Sequence, residues 1–376
     1  MIGRALAGTV TVIALVGVTA APAAADTARD RQWYLSDLNI AKAHQITRGD
    51  GVIVAVIDTG VDAKHRDLTG AVLSGYNTHH DAWDDKTGRD DPEGHGTNMA
   101  GIIAGRGHGS SDGILGIAPA AKILPIRAPI NGYGSATFMT EAVDFAIAHH
   151  ADVINMSFAR ADDQTMHDAI RKAQAAGIVL VAAAGNRDEP GDYPGAYPEV
   201  LTVGAYGQDH QIASFSVTGP QVDLAAPGDR IATTSTGPTG YDIANGTSEA
   251  SAIVSGTVAL VRAKYPNINA AEIVHRLTAT ADDAGTLGRD DTYGYGRLNI
   301  LKALTADVTP LPATSMPASA ASGAQAAVPG PATAAETDDL PKAGSPLLLA
   351  LILVGLLLLA GTILVAIMHR RRRLGP

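Results

Sequence analysis

The sequence predicts an α/β domain of three layers, in which helices cover both faces of a mainly parallel central sheet. Its short apolar runs are continuous rather than alternating, as is typical of strands that are buried on both faces of a parallel sheet. Segments with helical spacing separate these runs, and such alternation favours this architecture. The chain has 376 residues, of which 46% are hydrophobic and 18% charged, so it can bury a large core and is not disordered throughout.

Five of the apolar runs are predicted strands. They cover residues 52–57, 122–126, 152–156, 178–183 and 201–203. In a parallel sheet the carboxyl ends of the strands meet at one edge, where the sites of such domains lie. Reactive side chains are therefore expected where these runs end.

The predicted helices lie between and after the strands. Residues 136–150 and 164–176 have the spacing of amphipathic helices. Residues 246–264 form a long, almost uncharged segment, and a helix that is apolar all round belongs in the core of a large domain. Asn269 and Glu272 are typical of the cap that begins another helix.

The N-terminus carries a secretion pattern. A basic start and a short apolar stretch precede Ala23, Ala24 and Ala25. This order predicts a signal peptide over residues 1–25, cleaved after Ala25, rather than an uncleaved anchor.

The C-terminus carries a membrane pattern. Residues 347–368 are free of charge and exceed the roughly 20 residues that a helix needs to cross a bilayer, so we expect a transmembrane helix over residues 346–368 rather than a buried core helix. The tail, residues 369–376, begins with a histidine and four arginines. The positive-inside rule places this tail in the cytoplasm and the rest of the chain outside. Residues 305–345, rich in Pro, Ala, Ser and Thr, are predicted to form a semi-extended linker.

A competing interpretation of this end rests on the segment Leu340, Pro341, Lys342, Ala343 and Gly344. With the apolar run and basic tail behind it, the segment resembles a Gram-positive cell-wall sorting signal, inside which a sortase cuts. Ala343 stands where that signal has Thr. The retained membrane anchor is therefore the favoured prediction.

Composition excludes several kinds of site. The chain contains no cysteine, which excludes disulfides, thiolate metal sites and a cysteine nucleophile. Its net charge is −10, and without the basic termini the middle of the chain reaches about −15, which argues against nucleic acid as a partner. The acidic stretch 79–93 could hold calcium, but a solvated loop is the favoured interpretation, and we predict neither a metal ligand nor a cofactor.

Three glycine-rich segments each hold a reactive side chain. Asp58 ends the first predicted strand, His95 leads into a helix of small residues, and Ser248 opens the long apolar helix. A serine hydroxyl becomes nucleophilic when a neutral imidazole takes its proton, and a carboxylate on the other imidazole nitrogen fixes the tautomer. A helix start also favours a developing oxyanion. These are the residue types of acyl transfer by serine.

Each of the three residues also has a structural explanation. An acid at a strand end is often a turn residue or a metal ligand, a single histidine is often structural, and a serine before a helix is often an N-cap. Spacing alone therefore leaves the catalytic triad and the structural roles both open.

Four segments, in chain order, resemble the signatures of the subtilisin-like serine peptidases: Asp58-Thr59-Gly60, His95-Gly96-Thr97, Ala182-Ala183-Ala184-Gly185-Asn186 and Gly246-Thr247-Ser248. The resemblance covers about residues 33–304 and implies a subtilisin-like fold, with a peptidase domain that we place at 47–304. It implies that Ser248 is the nucleophile, His95 the general base and then acid, and Asp58 the orienting carboxylate. The Asn186 amide and the Ser248 N–H would hold the oxyanion.

The resemblance also implies where a peptide lies. Two chain segments would flank an extended peptide and bind it by β-augmentation. They are Ser157, Phe158 and Ala159 on one side and Gly132, Tyr133 and Gly134 on the other.

Several positions depart from the family pattern, among them Asn98 and Arg66, which replace a frequent histidine and a frequent proline. Ala159 and Arg160 stand where two glycines are usual, so we expect a narrower S1 pocket with a positive charge near it. Glu249 directly follows the predicted nucleophile, where a hydrophobic residue is common. Substrate preference is therefore left open.

The arrangement of the whole chain resembles the mycosins, membrane-anchored subtilases of actinobacterial type VII secretion systems. Too few residues separate Ala25 from Asp58 for a separately folded pro-domain. Residues 26–46 are instead predicted to form an arm on the domain, with Trp33 and Tyr34 as its apolar anchors.

These features together predict the function. We expect a serine endopeptidase at the cell membrane, with its catalytic domain outside, that cleaves secreted proteins and has membrane components of a type VII secretion system as partners. Two alternatives remain: a scaffold that stabilises a secretion complex and has secondary peptidase activity, and a degradative cell-surface protease anchored by a sortase.

Overall fold

Seven parallel strands form a single sheet at the centre of the part of the chain that the structure describes. The structure is a computed structural model, and it describes residues 27–79, 85–109, 111–130, 136–187 and 192–312. The sheet confirms the predicted α/β fold with a mainly parallel sheet.

The described residues contain eleven strands. They are β1 (Ile53–Asp58), β2 (Tyr76–Asn77), β3 (Arg106–His108), β4 (Asp112–Leu115), β5 (Lys122–Arg127), β6 (Val153–Met156), β7 (Val179–Ala183), β8 (Leu201–Tyr206), β9 (Leu224–Pro227), β10 (Ile231–Thr234) and β11 (Tyr241–Ala244). The order across the main sheet is β2-β5-β1-β6-β7-β8-β9.

The described helices surround this sheet. They are α1 (Thr27–Asp30), α2 (Trp33–Asp37), α3 (Ile40–Ala43), α4 (His95–Ala104), α5 (Thr137–Ala148), α6 (Gln164–Ala175), α7 (Thr247–Lys264), α8 (Ala270–Ala279) and α9 (Ile300–Thr305). A short 3-10 turn covers Arg66–Leu68.

Strand β1 shows why the domain has three layers. Its side chains alternate between the two faces of the sheet. Val54 and Val56 join the core under α4 and α7, whereas Ala55 and Ile57 join the core under α5 and α6. Because both faces are buried, residues 53–57 are all apolar and only Asp58 at the end of the strand is charged, which is the continuous pattern seen in the sequence.

The five predicted strands are all present. The long helix is buried in the core, as its nearly uncharged sequence predicts. In α7 every residue from Thr247 to Val261 is buried. Asn269 caps α8, since its Oδ1 accepts a hydrogen bond from the Glu272 main-chain N–H at 2.9 Å. The Glu272 carboxylate does not close a reciprocal box, because it accepts from the Leu311 N–H at 2.8 Å instead.

Several elements were not predicted. The outer strands β2 and β9 are two and four residues long, and the antiparallel pairs β3–β4 and β10–β11 lie outside the main sheet. These strands are short or contain polar residues, so they carry little apolar periodicity.

The N-terminal helices α1 to α3 pack onto the domain. Tyr34 is fully buried, and its hydroxyl donates to the Ala232 carbonyl at 3.1 Å. Half-buried Trp33 donates from its indole nitrogen to the Asp229 carbonyl at 3.1 Å. Both aromatic side chains thus hold the predicted arm against the region of β10.

The signal peptide, the transmembrane helix, the cytoplasmic tail and most of the linker lie outside the described residues. Within the described ranges, no helix combines the length and the apolar character that a membrane crossing needs.

Candidate active site

The carboxylate of Asp58 lies at the carboxyl end of β1, an interior strand of the sheet, and is completely buried. Its two oxygens lie 2.8 and 3.0 Å from Nδ1 of His95. A carboxylate only accepts hydrogen bonds, so Nδ1 of the imidazole is the donor. This leaves Nε2 of His95 as the nitrogen that can accept a proton.

His95 is the first residue of α4, and its surroundings fix the start of that helix. Gly94 before it has a φ of 92°, a left-handed conformation that suits glycine. Gly96 after it must lack a side chain, because a Cβ there would lie 2.0 Å from the Gly60 carbonyl oxygen. The helix can therefore approach the strand end closely enough for His95 to reach Asp58.

Asp91 completes this support and was not recognised as part of the site. It is buried, and its carboxylate accepts from the Gly94 N–H at 2.8 Å and the Thr97 N–H at 2.9 Å. The Thr59 hydroxyl donates to it at 2.8 Å and accepts from the Gly96 N–H at 3.0 Å. The signal in the sequence is an acid just ahead of a helix, where N-terminal N–H groups need acceptors.

The electrostatics of this cluster favour a protonated imidazole. Burial is the largest single influence on His95 and lowers its pKa, but three carboxylates outweigh it. The negative charge and hydrogen bond of Asp58, then the charges of Glu249 and Asp91, raise the His95 pKa to about 9. The His95 side chain remains 34% exposed, so the imidazole still has access to a substrate.

Ser248 is the second residue of α7 and is 9% exposed. Its Oγ donates to the Ser157 carbonyl at 3.2 Å, and not, among the described residues, to His95. Nucleophile and base are often loosely arranged in unliganded structures, and they tighten when a substrate is bound.

Asn186 lies beside the start of α7. Its Oδ1 accepts from the Thr247 N–H at 3.1 Å, so its amide nitrogen faces away from that N–H. The nitrogen lies 3.6 Å from the position of a Cβ built on Gly246. The structure thus brings Asn186 and Ser248 together at a helix N-terminus, where partial positive charge favours an oxyanion.

The predicted peptide-binding segments are only partly described. Ser157 is buried, and its hydroxyl contacts the Ser248 carbonyl at 3.2 Å and Ser251 Oγ at 2.9 Å. Phe158 packs its ring 6.3 Å from that of Phe138, so it offers a peptide only its main chain. Ala159 is partly exposed. Gly132, Tyr133 and Gly134 lie outside the described residues.

Arg160 is buried, and its charge lies against the protein. The guanidinium donates to the carbonyls of Pro129 and Ile130 at 3.0 and 3.2 Å and lies 5.3 Å from the ring centre of Phe138. The arginine therefore ties the segment after β6 to the segment after β5.

In the described part of the acidic stretch, carboxylates accept hydrogen bonds from main-chain N–H groups of the stretch itself and of α4. Asp85 accepts from the Thr87 N–H at 2.8 Å and the Asp90 N–H at 2.9 Å, and Asp91 supports α4 as described above. Over the described ranges, no group of three or more acidic or histidine side chains has an arrangement that could hold a metal ion. Residues 80–84 lie outside those ranges.

Comparisons of sequence agree with this geometry. The profile of the subtilase family matches residues 49–296. Subtilisin DY of Bacillus licheniformis is 37% identical over 267 residues, which cover 67% of this chain and 90% of that protein. Minor extracellular protease Epr of Bacillus subtilis (strain 168) is 36% identical over 270 residues, which are 70% of this chain but span only 40% of the length of Epr.

Solved structures of similar proteins include two from the MycP group. MycP1 from Mycobacterium smegmatis has a TM-score of 0.63 and 31% identity, covering 76% of this chain and 89% of that one. MycP3 protease from the type VII (ESX-3) secretion system has a TM-score of 0.63 and 34% identity, covering 73% and 88%. The chain therefore belongs to the subtilase family, and it is a subtilisin-like serine peptidase.

Proposed function

We propose that this chain is a membrane-anchored, extracytoplasmic endopeptidase that cuts secreted proteins through the triad Asp58, His95 and Ser248. The observation that carries the catalytic part is the pair of contacts, 2.8 and 3.0 Å, between the buried Asp58 carboxylate and His95 Nδ1. This pair orients an imidazole at the strand edge where α7 presents a serine beside an asparagine amide.

The reaction begins when Ser248 Oγ leaves the Ser157 carbonyl and turns to Nε2 of His95. His95 takes the hydroxyl proton as Oγ attacks the peptide carbonyl carbon, and Asp58 stabilises the imidazolium that forms. The carbonyl oxygen, now negative, accepts from the Ser248 N–H and the Asn186 amide. His95 then gives its proton to the leaving amine, which departs and leaves an acyl-enzyme on Ser248.

Water completes the cycle by the same steps. His95 takes a proton from water as the water oxygen attacks the acyl carbon, and the oxyanion again forms beside Asn186. Collapse of this second intermediate breaks the ester bond, and His95 returns the proton to Ser248 Oγ. The enzyme is regenerated, and the products are an acid and an amine.

The C-terminal sequence supports the proposed membrane location, and similarity to solved structures supports the proposed substrates. Residues 347–368 are apolar, and arginines follow them, which favours a single span with the catalytic domain outside. Similar solved structures include MycP1 from the ESX-1 type VII secretion system and MycP3 from the ESX-3 system. On this basis we assign the substrates to the proteins exported by a type VII secretion system.

A fluorophosphonate probe tests the catalytic assignment. We expect it to label Ser248 of the wild type, identified by mass spectrometry of the labelled peptide, and to leave Ser248→Ala unlabelled. Ser255→Ala is the matched control, since Ser255 lies on the same helix two turns further on and hydrogen-bonds Asn155. Folded wild type that stays unlabelled would contradict the assignment.

The same variant tests the cellular role. In cells that express only Ser248→Ala, an endopeptidase of secreted proteins leaves at least one exported protein uncleaved. If export and processing both continue unchanged, the chain serves the secretion complex mainly as a scaffold.

A further inference from the structure

Glu249 is a buried acid that the catalytic cycle does not use. It directly follows Ser248, lies in the first turn of α7 and is 3% exposed. Carboxylates are seldom buried without a structural or chemical reason. Its position at the centre of the candidate site makes its charge relevant to the reaction.

The carboxylate lies near the amide that is expected to hold the oxyanion. A Cβ built on Gly246 would lie 2.6 Å from Glu249 Oε2 and 3.6 Å from Asn186 Nδ2. Gly246 therefore has the acid on the same side as the amide that is expected to hold the oxyanion. The missing side chain of Gly246 is what makes room for the carboxylate.

Glu249 lies at the helix end on which the oxyanion is also expected to depend. The N-terminus of a helix carries about half a positive charge and favours an anion in the first turn. An oxyanion formed on a substrate would rely on the same partial charge. Two anions would then share one helix end, and like charges at short range in a partly buried site repel each other strongly.

The Glu249 carboxylate also acts on His95, the proposed base. Three carboxylates among the described residues act on the imidazole of His95: Asp58 at the end of β1, Asp91 ahead of α4, and Glu249 on α7. Asp58 and Asp91 are held by hydrogen bonds from the elements that form the site. Glu249 is the one whose removal leaves those hydrogen bonds in place, and its charge contributes to the raised His95 pKa.

We propose that Glu249 is a positioning residue that restrains this peptidase near neutral pH, because the charge of its carboxylate, close to the Asn186 amide, opposes the oxyanion. The proposal rests on the roles proposed for Ser248 and His95. Hydrolysis is slow until the pH rises or until a bound partner or substrate moves or neutralises the carboxylate. Glu249 thereby limits activity without touching the bond that is cut.

The test is the rate of fluorophosphonate labelling of Ser248 between pH 5.5 and 10.5. We expect Glu249→Gln, which keeps the shape and removes the charge, to label about three- to tenfold faster at pH 7. The rising limb of its pH profile should lie at lower pH than in the wild type, since a lower His95 pKa gives more neutral base. Glu249→Asp keeps a charge and should stay closer to the wild type.

A second measurement follows the imidazole directly. NMR titration of His95 in Ser248→Ala should give a lower pKa once Glu249→Gln is added, whatever the labelling reagent does. Asp242→Asn is the control for a changed net charge, because Asp242 is exposed on β11 and should alter neither profile.

The outcomes separate this proposal from the one on which it rests. Wild type that is not labelled at any pH overturns the assignment of Ser248, and the role of Glu249 with it. Wild type that is labelled, with Glu249→Gln equally fast or slower and an unmoved pH limb, overturns the role of Glu249 alone. A folding defect in the variant would show as a loss of labelling at all pH values together with a lowered melting temperature, and the titration of His95 in Glu249→Ala, which also lacks the charge, would then decide.

Discussion

The imidazole of His95 has to be neutral to accept the proton of Ser248, and the structure surrounds it with negative charge. Burial lowers its pKa, but Asp58, Glu249 and Asp91 together raise the pKa to about 9. The imidazole is therefore mostly protonated at pH 7. Protonated His95 cannot act as the base, whereas the substrate cleft stays open. Protonation therefore lowers the rate of hydrolysis.

We expect kcat/KM for a peptide substrate to rise with pH and to level off only above about pH 9, since this ratio reports the ionisation of the free enzyme. The measurement is a pH–rate profile at constant ionic strength, with circular dichroism to confirm folding at each pH. A rate that is already maximal at pH 7 would show that His95 is neutral there.

Asn186 supplies the side-chain donor of the proposed oxyanion hole. Its Oδ1 is held by the Thr247 N–H at 3.1 Å, which aims the amide nitrogen without a substrate. Such a donor acts only once the carbonyl oxygen becomes negative, so it should affect turnover more than binding.

We expect Asn186→Ala to lower kcat by roughly 10²–10³ and to leave KM nearly unchanged, the loss typical of removing one oxyanion donor. Steady-state kinetics with a peptide substrate measures both constants. Asn267→Ala is a suitable control, because Asn267 is exposed in the loop before α8. A kcat that does not fall would mean that other groups hold the oxyanion.

At the scale of elements, Tyr34 is the fully buried one of the two aromatic side chains that hold the N-terminal arm. Its hydroxyl donates to the Ala232 carbonyl and accepts from Gln32, another residue of the arm. Gln32 in turn binds both the carbonyl and the N–H of Leu115 at 2.9 Å. The arm therefore contributes to the stability of the β4 and β10 region rather than hanging free.

We expect Tyr34→Ala to lower the free energy of unfolding by about 3 to 5 kcal/mol, the cost of a cavity left by a large ring. Tyr34→Phe keeps the ring and should cost only about 1 kcal/mol for the lost hydrogen bonds. Urea denaturation followed by fluorescence measures both. Equal stability of Tyr34→Ala and the wild type would show that the arm does not support the domain.

Removal of the N-cap of α8 should also lower the free energy of unfolding, but by less. Asn269 Oδ1 accepts from the Glu272 N–H at 2.9 Å, so Asn269→Ala leaves that N–H without its cap. The expected loss is about 1 kcal/mol, again by urea denaturation. Because α8 supplies no residue of the triad or of the proposed oxyanion hole, kcat at 25 °C should not change, and a large fall in kcat would contradict this view of the helix.

At the scale of the whole molecule, the proposed anchor predicts where the protein is found. We expect the full chain to sediment with membranes and to need detergent for release, and a chain that ends at residue 312 to stay in solution with its triad labelled. The mature C-terminus, measured by mass spectrometry in the Ser248→Ala background to prevent self-cleavage, distinguishes the two anchors. Loss of everything beyond the Leu340–Gly344 region would point to a sortase.

Much of the central domain could be predicted from the sequence, for a reason visible in β1 and α7. Residues 53–57 of β1 are all apolar, and α7 is buried from Thr247 to Val261 with Glu249 as its one charged residue there. Runs with so little charge stand out in a sequence. The pairs β3–β4 and β10–β11 could not be predicted, because all four strands are short, β3 and β11 are partly exposed, and the buried β10 ends in two threonines. Asp91 was misjudged for a related reason, since a buried acid and a solvated acid look alike in a sequence.

The sequence by itself determined which residue types were available for chemistry: an acid, an imidazole and a hydroxyl, each beside glycine. It also determined the layers of the domain, because burial on two faces leaves a continuous apolar pattern. Only the tertiary structure decided that Asp58 hydrogen-bonds His95, that Asp91 accepts from the first N–H groups of α4, and that Glu249 lies beside Gly246. These contacts join residues that are distant along the chain, and their distances and charges depend on how the strand ends and helix starts come together in space.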